Sequence, residues 1–190
     1  MSFKQWLSSL WERPSAKWRL GIPLGGIILL VIGFMALPIY NGAMHYTSTN
    51  EFCYGCHIGM DTVVEEYEAS PHFKNRSGVL ASCADCHIPH ETIPKIITKV
   101  KATADVYHKL MGTITLENFE EHRPALAQKV WDDMSETGSR ECKNCHSLER
   151  MDESVQDRRT TKNNAPEKVE GKTCIDCHQA IAHKMPKPQL

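Results

Sequence analysis

The sequence predicts a mostly α-helical chain with irregular loops, in which one N-terminal transmembrane helix leads into a small external domain. Three observations predict this. Residues 20–40 form an apolar run without a charge. Apolar residues recur at helical spacing over 93–110 and 124–134, and no strand-like alternation is visible. All eight cysteines fall into four copies of one short motif, C-x-x-C-H.

The apolar run, Leu20 to Tyr40, reads LGIPLGGIILLVIGFMALPIY. At 1.5 Å per residue it reaches roughly 30 Å, the thickness of a hydrocarbon core. One charge at its centre would cost on the order of 3 kcal/mol, so their absence carries meaning. Pro23 suits a first helical turn. Trp18 and Tyr40 stand where interfacial aromatics belong. A cleaved signal peptide is the competing reading. Its apolar core is normally shorter, and no small-x-small cleavage site follows here, which favours a retained anchor. Lys4, Arg13, Lys17 and Arg19 precede the run against Glu12 alone. The positive-inside rule then puts the N-terminus in the cytoplasm. The expected organisation is a cytoplasmic segment 1–19, an anchor 20–40 in the bacterial inner membrane, and a periplasmic domain 41–190.

The motif cysteines are Cys53/Cys56, Cys83/Cys86, Cys142/Cys145 and Cys174/Cys177, followed by His57, His87, His146 and His178. C-x-x-C-H is the attachment signature of c-type haem. Two thiols one helical turn apart can add to the two vinyl groups on one porphyrin edge. The adjacent histidine then lies under the iron as an axial ligand. Zinc in Cys₄ sites does not require a histidine after every second cysteine. A disulfide framework gains little from partners three positions apart. The expected cofactors are therefore four covalently bound haem c groups. Covalent haem attachment is periplasmic in bacteria, which agrees with the orientation read from the charges.

The first cysteines stand at 53, 83, 142 and 174, with spacings of 30, 59 and 32 residues. Two close pairs across a longer gap suggest two tandem two-haem units. The gap holds the two helix candidates, the second expected to open at Pro124. Residues 151–170 are polar without a period and read as a surface loop. Aromatic residues make up only 7% of the chain, so porphyrins would have to supply much of the core. A formal net charge of -1 and the lack of a basic stripe argue against a nucleic-acid partner. Six histidines lie outside the motifs: His45, His72, His90, His108, His122 and His183. Any of them could supply a second axial imidazole.

The run HFKNRSGVLASCADCHIPH, the stretch RECKNCHS and the ending GKTCIDCHQAIAHKMP resemble the NapC/NirT family of membrane-anchored tetrahaem quinol dehydrogenases, over most of residues 18–187. The NapC-like branch, which feeds periplasmic nitrate reductase, is the most similar. The resemblance implies that membrane quinol donates electrons, and that a periplasmic reductase, nitrate reductase first, receives them. It implies distal haem ligation by His72, His90 and His183. A further family histidine corresponds to Asn164, a poor ligand. That haem takes His108 or His122, stays five-coordinate, or receives a ligand from a partner. At the first haem the resemblance offers His57 or Met60 as iron ligand, although many relatives carry the methionine one position earlier. It implies Asp105 as the acid of the quinol site, with Lys99 as the best-aligned lysine. The bare sequence offers an ordinary Lys101–Asp105 surface ion pair instead. A terminal multihaem reductase of a small nitrogen oxide is the alternative function. Whether quinol oxidation by an electron-transfer subunit counts as enzyme activity is a matter of convention. A single anchor helix leaves room for a complex or an oligomer.

Overall fold

A computed structural model describes residues 2–12, 22–56, 62–164 and 169–187. Among these residues there are helices, turns and loops and no strand, as expected. The chain divides into two units, 1–47 and 48–190.

The first unit begins with α1, Phe3–Ser9. Its N-terminus is closed by a capping box, in which Ser2 Oγ accepts from the Gln5 amide at 3.3 Å and the Ser2 amide donates to Gln5 Oε1 at 2.9 Å. The long helix α2 runs Leu24–Tyr46. It lies further along the chain than the 20–40 run, because Pro23 has extended backbone (φ -62°, ψ 151°) and takes the N-cap position, so the helix can begin only after it. With 23 residues it is long and apolar enough to cross a membrane. Its leucines and Phe34 are exposed all round, as a helix designed for lipid requires. The Gly25 amide donates to Leu10 O at 2.7 Å. A Cβ on residue 25 would come within 2.9 Å of that same oxygen, so the close approach needs glycine.

The second unit is built from short helices. In order, α3 is Asn50–Cys56, α4 Val63–Glu68, α5 Cys83–His87, α6 Thr92–Lys101, α7 Thr103–Met111, α8 Phe119–Glu136, α9 Arg140–Lys143 and α10 Arg158–Asn163. One-turn 3₁₀ segments follow at Leu148–Arg150, Glu153–Val155 and Cys174–Asp176. Three sequence expectations are corrected here. The helical pattern over 93–110 is two helices divided at Ala102, where Thr103 Oγ1 takes the Val100 carbonyl at 2.6 Å and competes with the backbone ladder. The helix expected from Pro124 opens five residues earlier, at Phe119, and carries the proline inside it. The expected loop 151–170 contains α10, whose N-cap Asp157 accepts from the Arg159 and Thr160 amides, each at 2.9 Å.

The apolar core is small. Among the described residues only Val64, Tyr67, Phe119 and Ile175 are buried apolar side chains, whereas Val79, Leu80, Ile93, Ile97, Leu148 and Met185 are exposed. Polar clasps do much of the joining. Arg123 grips Glu66 with both guanidinium nitrogens, at 3.1 and 2.6 Å, and donates to Lys184 O at 2.8 Å. The Lys184 amide returns a bond to Glu66 Oε2 at 2.8 Å. These bonds tie α4, α8 and the C-terminal segment together.

Candidate functional site

Each motif is shaped by its own local bonds. In the second, S-C-A-D-C-H, Asp85 reaches back to the Ser82 amide at 2.8 Å while Ser82 Oγ accepts from the Asp85 amide at 3.3 Å. In the fourth, T-C-I-D-C-H, Asp176 accepts from the Thr173 amide at 2.6 Å and from Thr173 Oγ1 at 3.0 Å. The aspartate between the cysteines therefore caps the turn that carries them. These backbone bonds hold both carboxyls below the usual range: at Asp176 the Thr173 amide leads, and at Asp85 the Ser82 bonds outweigh an opposing effect of burial. The signal, Ser or Thr three residues before Asp, stands in the sequence and was not used there. In the third and fourth motifs the histidine amide bonds back to the first cysteine carbonyl at 2.9 Å, so His146 and His178 lie one helical turn from Cys142 and Cys174.

The motifs meet one another in chain order. The Cys53 and Cys83 thiols share a hydrogen bond, which draws Cys53 down to about 7 against its burial and pushes Cys83 up. Asn50, at the start of α3, accepts from the Cys83 amide at 3.0 Å and donates to Tyr67 Oη at 3.3 Å. The Tyr67 hydroxyl donates to Ala81 O at 2.8 Å. The α5 helix packs on α9, bringing Cys86 within electrostatic reach of Cys142 and Cys145. Cys142 in turn feels Cys174. Ser139 makes the last joint: fully buried, with left-handed backbone (φ 54°), it starts α9 and accepts from the Ile175 amide at 3.1 Å. Nothing in the sequence marked Ser139, because its role depends on a positive φ that serine rarely adopts.

Two of the motif histidines face a second histidine. The His87 and His183 rings have centroids 6.3 Å apart, tilted by 34°. The His146 and His72 rings are also 6.3 Å apart, at 70°. With a metal–imidazole bond of about 2 Å on each side and the ring centre roughly 1 Å beyond the nitrogen, two rings sharing an iron have centroids about 6 Å apart. The residues fit haem: both spacings admit an iron between the rings, the His72 Nδ1 is buried without a hydrogen-bond partner, and the core is too thin without added apolar bulk. A cavity of ≈ 520 Å³ lies beside the third motif, lined by Cys145, His146, Arg150 and Met151 among others.

The remaining site residues are dispersed. His90 is not brought against a motif histidine among the described residues; its Nε2 lies 3.4 Å from Asp85 Oδ1. His57 and Met60 lie outside the described residues, and so does the side chain of Cys56. Lys99 is half-buried on α6 and close enough to Cys53 for its charge to help lower that thiol. Burial, aided by Lys95, holds the Lys99 ammonium below its usual range. Lys109 donates from Nζ to Gly55 O inside the first motif. Asp105 stands four residues before Lys109 on α7 and so shares the helix face turned to that motif. The alternative Lys101–Asp105 ion pair is not among those formed by the described residues.

A helical domain strung on contiguous haem-attachment motifs, with histidine pairs at iron-sharing distance and an apolar helix ahead of it, defines a membrane-anchored c-type cytochrome carrying haem c. The model of the NapC/NirT cytochrome c family, N-terminal region, matches residues 14–188, and the chain belongs to that family. It is 44% identical over 174 residues to the cytochrome c-type protein NapC of Escherichia coli (strain K12), covering 89% of this chain and 87% of that protein. It is 49% identical to a putative tetraheme cytochrome-c type protein of Allochromatium vinosum, over 84% of this chain and 86% of the relative. The denitrification system component NirT of Stutzerimonas stutzeri is 40% identical over 94% of this chain and 89% of its own length. No solved structure matches the chain.

Proposed function

We propose that this protein oxidises membrane quinol and passes the electrons through four haems to a periplasmic reductase, with nitrate reductase as the first candidate. The observation that carries this reading is the contact of consecutive motifs in chain order, from Cys53–Cys83 through Cys86–Cys142 to Cys142–Cys174. Haems attached there form a file in which each lies beside the next. The first motif is also the one that follows the anchor helix in the sequence. The N-terminus is cytoplasmic and the haem domain periplasmic, as the basic residues before α2 require.

Quinol gives up two electrons and two protons, and the file accepts electrons alone. Asp105 takes a hydroxyl proton, and Lys99, whose charge burial disfavours, steadies the carboxylate. The Lys109 bond to Gly55 supports this assignment, because it turns the Asp105 face of α7 toward the first motif. His72 and His183 serve as distal ligands of the third and second haems, and His90 remains a candidate ligand, as does His57 or Met60 at the first. The test is Asp105→Asn in the holoprotein. Quinol-driven haem reduction should slow by a factor of about 10²–10⁴, the usual worth of a positioned general base. Reduction by dithionite should stay unchanged. Equal quinol rates in both proteins would remove Asp105 from the mechanism.

A further inference from the structure

Axial ligation is uneven along the file. His87 and His146 each face a second histidine at 6.3 Å, whereas no described histidine ring pairs with His178. Its motif is firmly set: the Ile175 amide is held by Ser139 Oγ at 3.1 Å, and the His178 amide by Cys174 O at 2.9 Å. The imidazole itself is exposed.

The other histidines are committed to other places. His45 lies in α2. His90 closes the second motif beside Asp85. His108 bonds Thr113 Oγ1 through Nδ1 at 2.8 Å, and it precedes Lys109, which reaches the first motif. His122 is in the first turn of α8, bonded through Nδ1 to Asn118 O at 2.9 Å. The fourth motif packs at the other end of α8, near Ser135 and Ser139, and thirteen residues of helix from His122 to Ser135 span about 20 Å. The segment between the third and fourth motifs offers only Asn164, at the end of α10, whose amide is a poor donor to iron.

We propose that the iron attached through the fourth motif keeps one axial position that this chain does not fill, and that this position takes small exogenous ligands: carbon monoxide when ferrous, imidazole or cyanide when ferric. Such an open iron stands at the end of the file furthest in sequence from the anchor. Haem iron with one protein ligand binds small molecules, and iron held between two imidazoles does not. The inference rests on haem attachment at Cys174 and Cys177 and is independent of the electron donor.

The test uses the full-length holoprotein in detergent. Titrating the dithionite-reduced protein with carbon monoxide and following the haem absorbance counts the open irons per chain. The same titration on Cys174→Ala/Cys177→Ala, with three haems verified by mass, isolates the fourth site whatever the first haem binds. The wild type should bind carbon monoxide and the variant one equivalent less. No binding by the wild type, or an undiminished count in the variant, overturns the proposal. Should that variant not accumulate, Asn164→His in the four-haem protein should lose one carbon monoxide equivalent and gain one ferric bis-histidine signal. Four bis-histidine haems by integrated electron paramagnetic resonance of the wild type would also overturn it.

Discussion

Replacing Arg123 by alanine would leave the Glu66 carboxylate in the interior without its guanidinium. The pair is bidentate, at 2.6 and 3.1 Å, and each side chain is only 9% exposed. Breaking one partner out of a buried pair costs about 3–5 kcal/mol, because the remaining charge is uncompensated. At roughly 2–4 °C per kcal/mol for a chain of this size, the melting temperature should fall by about 6–20 °C. The effect should also reach an iron. Arg123 and Glu66 both hold the backbone of Lys184, the residue after His183, and the His183 ring faces His87. Circular dichroism on heating reads the first consequence, and paramagnetic resonance of the second haem reads the second. Arg123→Lys should recover only part of either, since an ammonium cannot make the forked contact. A melting point within about 2 °C of wild type, the shift expected for under 1 kcal/mol, together with an unchanged bis-histidine signal, would refute the reasoning.

The same clasp sets a pH dependence. Burial raises Glu66, but the Arg123 bond and the Lys184 amide prevail and hold it below its ordinary value. A carboxyl depressed in the folded state contributes stability that is present above the unfolded pKa of about 4.3 and is lost as pH falls through the folded value. Thermal stability should therefore drop on acidification below that range, and Glu66→Gln should flatten the drop. The two histidine pairs predict distinct spectra: rings at 70° (His72/His146) should give the more anisotropic ferric low-spin signal, and rings at 34° (His87/His183) the more rhombic one. His72→Ala should erase the former alone. Tyr67→Phe removes the donor to Ala81 O and should cost about 1–3 kcal/mol, measured by thermal unfolding of the holoprotein.

The cysteine pairs, their histidines and the apolar run were legible because covalent attachment and lipid each demand residue types at fixed short spacing. The helix over 93–110 was legible as a pattern but not in its division, because the break depends on one hydroxyl choosing the Val100 carbonyl. The α10 helix was hidden in a polar stretch, although Asp157 carried the cap signal. Which distal histidine serves which motif could not be read at all. His72 precedes the second motif yet faces His146 of the third, and His183 follows the fourth yet faces His87 of the second. Such crossings belong to tertiary packing, as does the Ser139 joint, and sequence proximity points the wrong way.

The central claim is that quinol electrons enter this haem file. Stopped-flow mixing of the oxidised, detergent-solubilised holoprotein with a menaquinol analogue, followed at the haem absorbance band, tests it most directly. The account predicts rapid reduction of the haems, blocked by an inhibitory quinol analogue. A four-haem sample that dithionite reduces fully and quinol leaves oxidised would contradict it.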